Sequence, residues 1–350
     1  MRALSVEIRT LKLLSLVLDL PLLAPALRLL TAEPRVANLT IAGVPVEVVQ
    51  PGFVGPWPAV VFVNGAHPLR RREAIVQRLS RGLARAGYVV FVPDLPGLGE
   101  EEISLRTLES LVVVTSEVLD SHDIRNTKVA LVGASTGASL ALIAAARPAL
   151  AHQVSVVVAV APYGDLEKIV CLVTTGFYEE NGGFVPYAVT PLARRIIARS
   201  LIAALDPVVR AQLFAELDRT EGDIDPRLWL EGRGEVDTET RAVIALLTNR
   251  DPNQYRPLWR ELPPEISAIL RHLSPTTSAR DVRAPVEILV PPSDVYFPPA
   301  EASALAHAVP TARLTVTATL DHTRPRFSLA QLGDFASFLR SVIRSLAQAG

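Results

Sequence analysis

Six short runs of apolar, mostly β-branched residues recur along the chain, with amphipathic stretches between them. The runs are AVVFVN (59–64), YVVFVP (88–93), KVALVG (128–133), VSVVVAVA (154–161), VEILVP (286–291) and RLTVTATL (313–320). Unbroken Val/Ile/Leu runs suit strands covered on both faces. The stretches 71–86, 103–120, 136–147, 299–308 and 328–347 have the apolar spacing of helices and the length of parallel crossovers. Ahead of them, ANLTIAG and VPVEVVQP alternate about Ala42-Gly43 and predict a β-hairpin. The expected fold class is α/β, an eight-stranded, mostly parallel sheet flanked by helices.

One interval breaks this rhythm. About 120 residues separate VSVVVAVA from VEILVP, far more than a connection needs. Helical patterns recur there, in LARRIIARSLIAALD (192–206), PVVRAQLFAELDR (207–219), ETRAVIALLTNR (239–250) and EISAILRHL (265–273). Residues 165–280 are therefore expected to form a helical cap insertion after the sixth strand, lying over the carboxyl ends of the strands. The core is then built from 35–164 and 281–350, and residues 1–34 stand apart as an apolar N-terminal helix.

That N-terminal segment carries LKLLSLVLDLPLLAPALRLL (11–30). Lys12, Asp19 and Arg28 are costly at bilayer depth, and Pro21 and Pro25 interrupt a helix. On a helical wheel Lys12, Ser15 and Asp19 form one narrow polar stripe. Three readings remain: a helix packed on the body or serving as a lid, an anchor at a membrane surface, or a signal or spanning segment.

Composition removes several classes of function. With 350 residues, 49% of them hydrophobic, the chain can bury a deep core and is not a disordered polymer. A net charge of −1 argues against a general nucleic-acid binder. Cys171 is the single cysteine, so neither an internal disulfide nor a cysteine-based metal site is available.

The chemistry concentrates at strand ends. KVALVG runs into Gly133-Ala134-Ser135-Thr136-Gly137 and then the helical ASLALIAAA. A G-x-S-x-G between strand and helix is the pattern of a sharp turn that lifts a serine hydroxyl above the sheet edge; small residues two before and two after avoid clashes. A nucleophilic serine needs a base and a group that orients the base. His322 follows RLTVTATL, and Asp294 follows VEILVPP, both at the same edge as Ser135. His322 is expected to accept the serine proton, and Asp294 to fix the imidazole tautomer. His67 after AVVFVN is the alternative base and Asp165 in APYGDL the alternative acid; Asp321 reads as a turn residue, and His122, His152, His272 and His307 as surface or capping residues. For the oxyanion hole, the N–H of Thr136 and that of Ala66 or His67, in the loop Asn64-Gly65-Ala66-His67-Pro68, are the expected donors.

VALVGASTGAS, FVNGAHP, VFVPDLPGLG, VEILVPPSD and LDH together resemble the α/β-hydrolase superfamily over roughly residues 37–347. Asn64 stands where many members carry the histidine of an H-G pair, and Ala134 and Thr136 match neither the commonest lipase nor the commonest peptidase version of the elbow. The resemblance implies a serine hydrolase that cleaves a carboxylic ester through an acyl-enzyme, with no metal or organic cofactor. The alternatives are a peptidase or amidase similar to the prolyl-oligopeptidase branch, and a non-catalytic binding protein that keeps the fold. The expected partner is a small, apolar ester, with FAEL (214–217) and IIARSLIAAL (196–205) as candidate contacts. No nucleic acid is expected. The expected compartment is the cytoplasm, with peripheral membrane contact through residues 1–30.

Overall fold

The computed structural model describes residues 2–18, 23–121, 124–180, 182–220, 236–325 and 332–350. Its strands are β1 (Arg35–Ile41), β2 (Val44–Gln50), β3 (Trp57–Val63), β4 (Val89–Pro93), β5 (Ile124–Ala134), β6 (Val154–Val160), β7 (Phe177–Glu180), β8 (Gly183–Pro186), β9 (Val286–Val290) and β10 (Ala312–Val316). Eight form one sheet in the order β1-β2-β4-β3-β5-β6-β9-β10. Only β2 runs against its neighbours; every other pairing is parallel. Ala42 and Gly43, both at positive φ, make the tight turn between β1 and β2.

The unbroken apolar runs are explained by cover on both faces. Every residue of β3, β4 and β9 is buried. Along β3, Val60 and Phe62 face one layer while Val61 and Val63 face the other. The first layer contains α1 (Arg2–Val17), α3 (Ala74–Arg85) and the C-terminal helix Leu332–Ala349. The second contains α4 (Leu105–Leu119) and α5 (Thr136–Ala146). No residue of α5 is exposed, which is why its sequence, TGASLALIAAA, has no polar face. Glu287 is buried in β9 but is held by Arg344 at 2.6 Å and by Ser341 of the C-terminal helix. β1 is the exception to double cover, being exposed along almost its whole length at the sheet edge.

Several sequence expectations need correction. RLTVTATL does not form one strand. β10 ends at Val316, and Leu320–Asp321 instead pair with Arg324–Pro325 in a small hairpin around the next turn. The stretch expected as one helix over 71–86 begins as a separate turn, Arg70–Arg72, before α3. Ser15 is not on a solvent-facing stripe: it is fully buried, because α1 is covered by α3 on one side and the C-terminal helix on another. Asp19 and Pro21 lie outside the described residues.

The N-terminal segment forms two helices, α1 and α2 (Leu23–Leu30). Leu13 and Val17 pack at Gly82 of α3, where a Cβ would come within 3.2 Å of each of those side chains. Leu14 reaches Leu289, Leu320 and Phe338. Among the described residues no helix is long and apolar enough to cross a membrane.

Between β6 and β9 the chain forms α6 (Leu166–Thr175), the β7–β8 hairpin, α7 (Pro191–Ile202) and α8 (Pro207–Arg219). The helices Thr238–Thr248, Pro252–Glu261 and Pro264–His272 follow. The hairpin and the helix Pro252–Glu261 are not legible in the apolar pattern. The helix carries Pro257 in its interior, and its one buried residue is Tyr255.

Candidate active site

Ser135 sits between β5 and α5 at φ 53° and ψ −127°, a backbone conformation that L-residues avoid. Two contacts hold it there. A Cβ on Gly133 would lie 2.4 Å from the Gly137 carbonyl oxygen, and a Cβ on Gly137 would lie 2.2 Å from that of Val63. Both glycines are therefore required by close backbone approach. The Ser135 N–H donates to the Val160 carbonyl at 2.8 Å, fixing the turn to β6. Its hydroxyl does not cap α5 and stays directed at the cavity above the sheet.

Nδ1 of His322 lies 2.7 Å from Oδ2 of Asp294. The other carboxylate oxygen, Oδ1, accepts the N–H groups of Tyr296 at 2.8 Å and Phe297 at 3.5 Å, so the carboxylate cannot turn away. The Tyr187 hydroxyl, arriving from just beyond β8, donates to the Asp294 carbonyl. Burial and the nearby Asp294 charge push that hydroxyl above its ordinary pKa, which keeps it a donor. Tyr296 lies against the imidazole with ring centroids 4.5 Å apart, and Phe297 meets its edge at 6.0 Å. His322 itself has φ 51° in the hairpin turn that follows Leu320.

Ser135 and His322 line the same cavity, of about 340 Å³. Among the described residues no hydrogen bond joins the hydroxyl to the ring. His67 also lines the cavity, but its Nδ1 accepts the Leu69 N–H at 3.2 Å, and among the described residues it has no carboxylate partner. Asp165 is used elsewhere, its Oδ1 capping α6 through the Glu167 N–H. Asp321 pairs with Arg324 in the small hairpin. His272 and His307 each bond a carbonyl on their own helix, and His122 lies outside the described residues.

The N–H groups of Ala66, His67 and Thr136 have no acceptor within hydrogen-bond reach among the described residues, and all three residues line the cavity. Asn64 shapes this loop: it is buried, and its amide nitrogen donates to the Gly65 carbonyl at 3.0 Å. A Cβ on Gly65 would press on the Ser135 side chain at 3.2 Å, so the loop runs directly beside the serine. Among the described residues no cluster of His, Cys, Asp or Glu could hold a metal ion.

The cavity walls are largely apolar. Leu166, Ile169 and Val173 of α6 face it together with Ile196 and Ile197 of α7. Ile75, Val76 and Leu79 of α3 form a second wall, and a Glu73–Arg324 ion pair (3.4 Å) stands among the lining residues. No residue of FAEL (214–217) lines the cavity. Leu217 is buried in the core, since that side of α8 packs inward. The apolar pattern of the sequence does not single out the α3 wall, Tyr187, Tyr296 or Phe297. The closeness of Tyr296 and Phe297 to Asp294 in the chain is the one signal that could reveal any of them.

Glu301 ties the two sides together. It is buried on the helix Pro299–Ala308, which follows the Asp294 loop, and accepts the N–H groups of Gly164 (2.8 Å) and Asp165 (2.7 Å) and the Tyr178 hydroxyl (2.8 Å). Burial raises its pKa above the ordinary carboxylate range. The start of α6, and with it one cavity wall, is thus anchored to the element carrying Asp294.

Comparison with solved structures shows the same architecture at low sequence identity. Dipeptidyl peptidase 4 of Porphyromonas gingivalis superposes with a TM-score of 0.52 at 11% identity, over 92% of this chain and 37% of that one. An acylaminoacyl peptidase solved with a chloromethyl ketone gives 0.51 at 12% identity, over 89% of this chain and 40% of the other. This chain therefore spans well under half the length of these two peptidases. A Pyrococcus furiosus esterase matches over 92% of both chains, at 13% identity and a TM-score of 0.49. No curated protein matches the sequence. The family model described as "Alpha/beta hydrolase family" matches residues 60–332, from β3 to the start of the C-terminal helix. With that match over most of its length and the eight-stranded sheet just described, the chain belongs to the alpha/beta hydrolase family.

Proposed function

We propose that this protein is a serine hydrolase that cleaves a carboxylic ester, with Ser135 as nucleophile, His322 as general base and Asp294 as the residue that orients it. The observation that carries this reading is the Asp294–His322 hydrogen bond at the rim of the cavity into which the strained Ser135 turn projects. His322 holds its Nδ1 proton against Asp294, leaving Nε2 to take the proton of Ser135 as Oγ attacks the ester carbonyl carbon. The negative charge that develops on the carbonyl oxygen is met by the Thr136 amide and by that of Ala66 or His67. Collapse breaks the ester C–O bond, and the alcohol leaves with the proton from the imidazolium. Water, deprotonated by the same nitrogen, then attacks the acyl-serine; the carboxylic acid departs and Ser135 regains its proton. No metal or organic cofactor enters this scheme.

The apolar walls of α6, α7 and α3 favour an aliphatic or aromatic acyl or alcohol group. In this reading, residues 165–280 act as the cap that closes over the substrate, and the reaction takes place in the cytoplasm. A fluorophosphonate probe supplies the test, with labelling expected for the native chain and absent from Ser135→Ala. A folded native chain that takes no label would instead assign a binding protein. Turnover of aminoacyl anilides in preference to p-nitrophenyl esters would assign a peptidase.

A further inference from the structure

The N-terminal hairpin of helices leaves an apolar surface that the core does not use. In α2 only Ala24 is buried, and one residue in eight, Arg28, is polar. Leu29 and Leu30 are 88% and 82% exposed, and Leu23 is exposed one helix length away. Phe53 and Val54 are exposed as well, the latter 89%. Arg85 Nη1 donates to the Arg28 and Thr31 carbonyls at the end of α2, and a Cβ on Gly52 would come within 2.6 Å of Ala32. Phe53 in turn sits against Gly87. The end of α2 and the loop carrying Phe53 thus both lie at the carboxyl end of α3.

The charge carried by these segments is predominantly basic. Residues 2–35 and 70–85 carry eleven basic and four acidic side chains, in a chain whose net charge is −1. On α3 beside the patch, Arg78, Arg81 and Arg85 bond only neutral acceptors among the described residues: the Val17 carbonyl, the Gln77 amide oxygen and the carbonyls of α2. Exposed leucines beside arginines without a carboxylate partner match an interface of hydrocarbon and anionic headgroups, whereas they would be costly in water.

We infer that α2 and the Phe53–Val54 loop dock this protein peripherally on an anionic lipid surface, with the leucines in the headgroup–acyl boundary and the α3 arginines against the headgroups. The contact is separate from the reaction assigned above, although α3 also walls the cavity through Ile75 and Leu79.

Flotation of the full chain with vesicles tests this, comparing pure phosphatidylcholine with a mixture containing about one-third phosphatidylglycerol. Binding is expected on the anionic vesicles and should weaken as salt is added. Leu29→Glu/Leu30→Glu is expected to lower it by about 10-fold or more, and Val54→Asp to lower it independently, with thermal unfolding of both variants near the native value. Absence of binding by the native chain overturns the inference, as does equal binding by both variants. A native dimer that Leu29→Glu/Leu30→Glu converts to monomer, without vesicle binding, would give the patch to a second copy of the chain.

Discussion

His322 and Asp294 are separated by 28 positions, yet the imidazole Nδ1 and the carboxylate Oδ2 lie 2.7 Å apart. The two residues follow β9 and β10, which are adjacent and parallel, so their loops leave the same sheet edge side by side. The backbone N–H groups of Tyr296 and Phe297 hold the remaining carboxylate oxygen.

Replacing Asp294 by Asn should preserve the fold while presenting the wrong tautomer, lowering kcat by about 10⁴-fold. Asp165→Ala is the contrast. It removes the cap of α6 and should cost about 1 kcal/mol of stability while leaving kcat within a few-fold. Ester kinetics and urea unfolding on the two variants check the assignment, and a larger kcat loss in the Asp165 variant would reverse it.

Ser135 stores backbone strain that a glycine would not feel. Ser135→Gly should abolish turnover and raise stability by about 1 kcal/mol, since glycine reaches φ 53° without a Cβ penalty. The measurement is paired thermal melts of Ser135→Gly and Ser135→Ala. Both should be inactive, with only the glycine variant stabilised.

Glu301 should make stability depend on pH. Burial raises its folded-state pKa above the ordinary 4.5, so the carboxyl binds its proton more tightly in the folded than in the unfolded chain. Below about pH 4.5 this contribution is fully present; it is lost as pH rises through the raised folded-state value. Glu301→Gln does not titrate, and the native chain should therefore lose stability relative to the variant as pH rises from about 4 to 7. Parallel unfolding curves across that range would refute the assignment.

Cavity length should set chain-length preference. Ile196 faces the cavity from α7, and Ile196→Trp should fill that wall. The ratio of kcat/KM for a long-chain to a short-chain p-nitrophenyl ester is expected to drop by about 10-fold or more. An unchanged ratio would place the acyl group against the α3 wall instead.

Some of this molecule is written locally in its sequence. Gly133 and Gly137 announce the Ser135 turn because the clash they avoid involves backbone only a few residues away and the facing carbonyl of β3. The β-branched runs announce strands because burial on two faces tolerates no polar alternation. Asp294 follows β9 as the apolar run predicts, whereas His322 sits six residues beyond β10 in a small hairpin that the run does not announce.

What the sequence by itself determined is thus the doubly covered sheet, with a serine turn at one edge of it. Tertiary structure alone decided that Tyr296 lies against the His322 ring, that Tyr187 reaches the Asp294 carbonyl, that Ser15 is buried between helices, and that Leu29 and Leu30 are left outside. Periodicity tells which residues share a face of their own element, whereas burial depends on which other element comes to rest on that face.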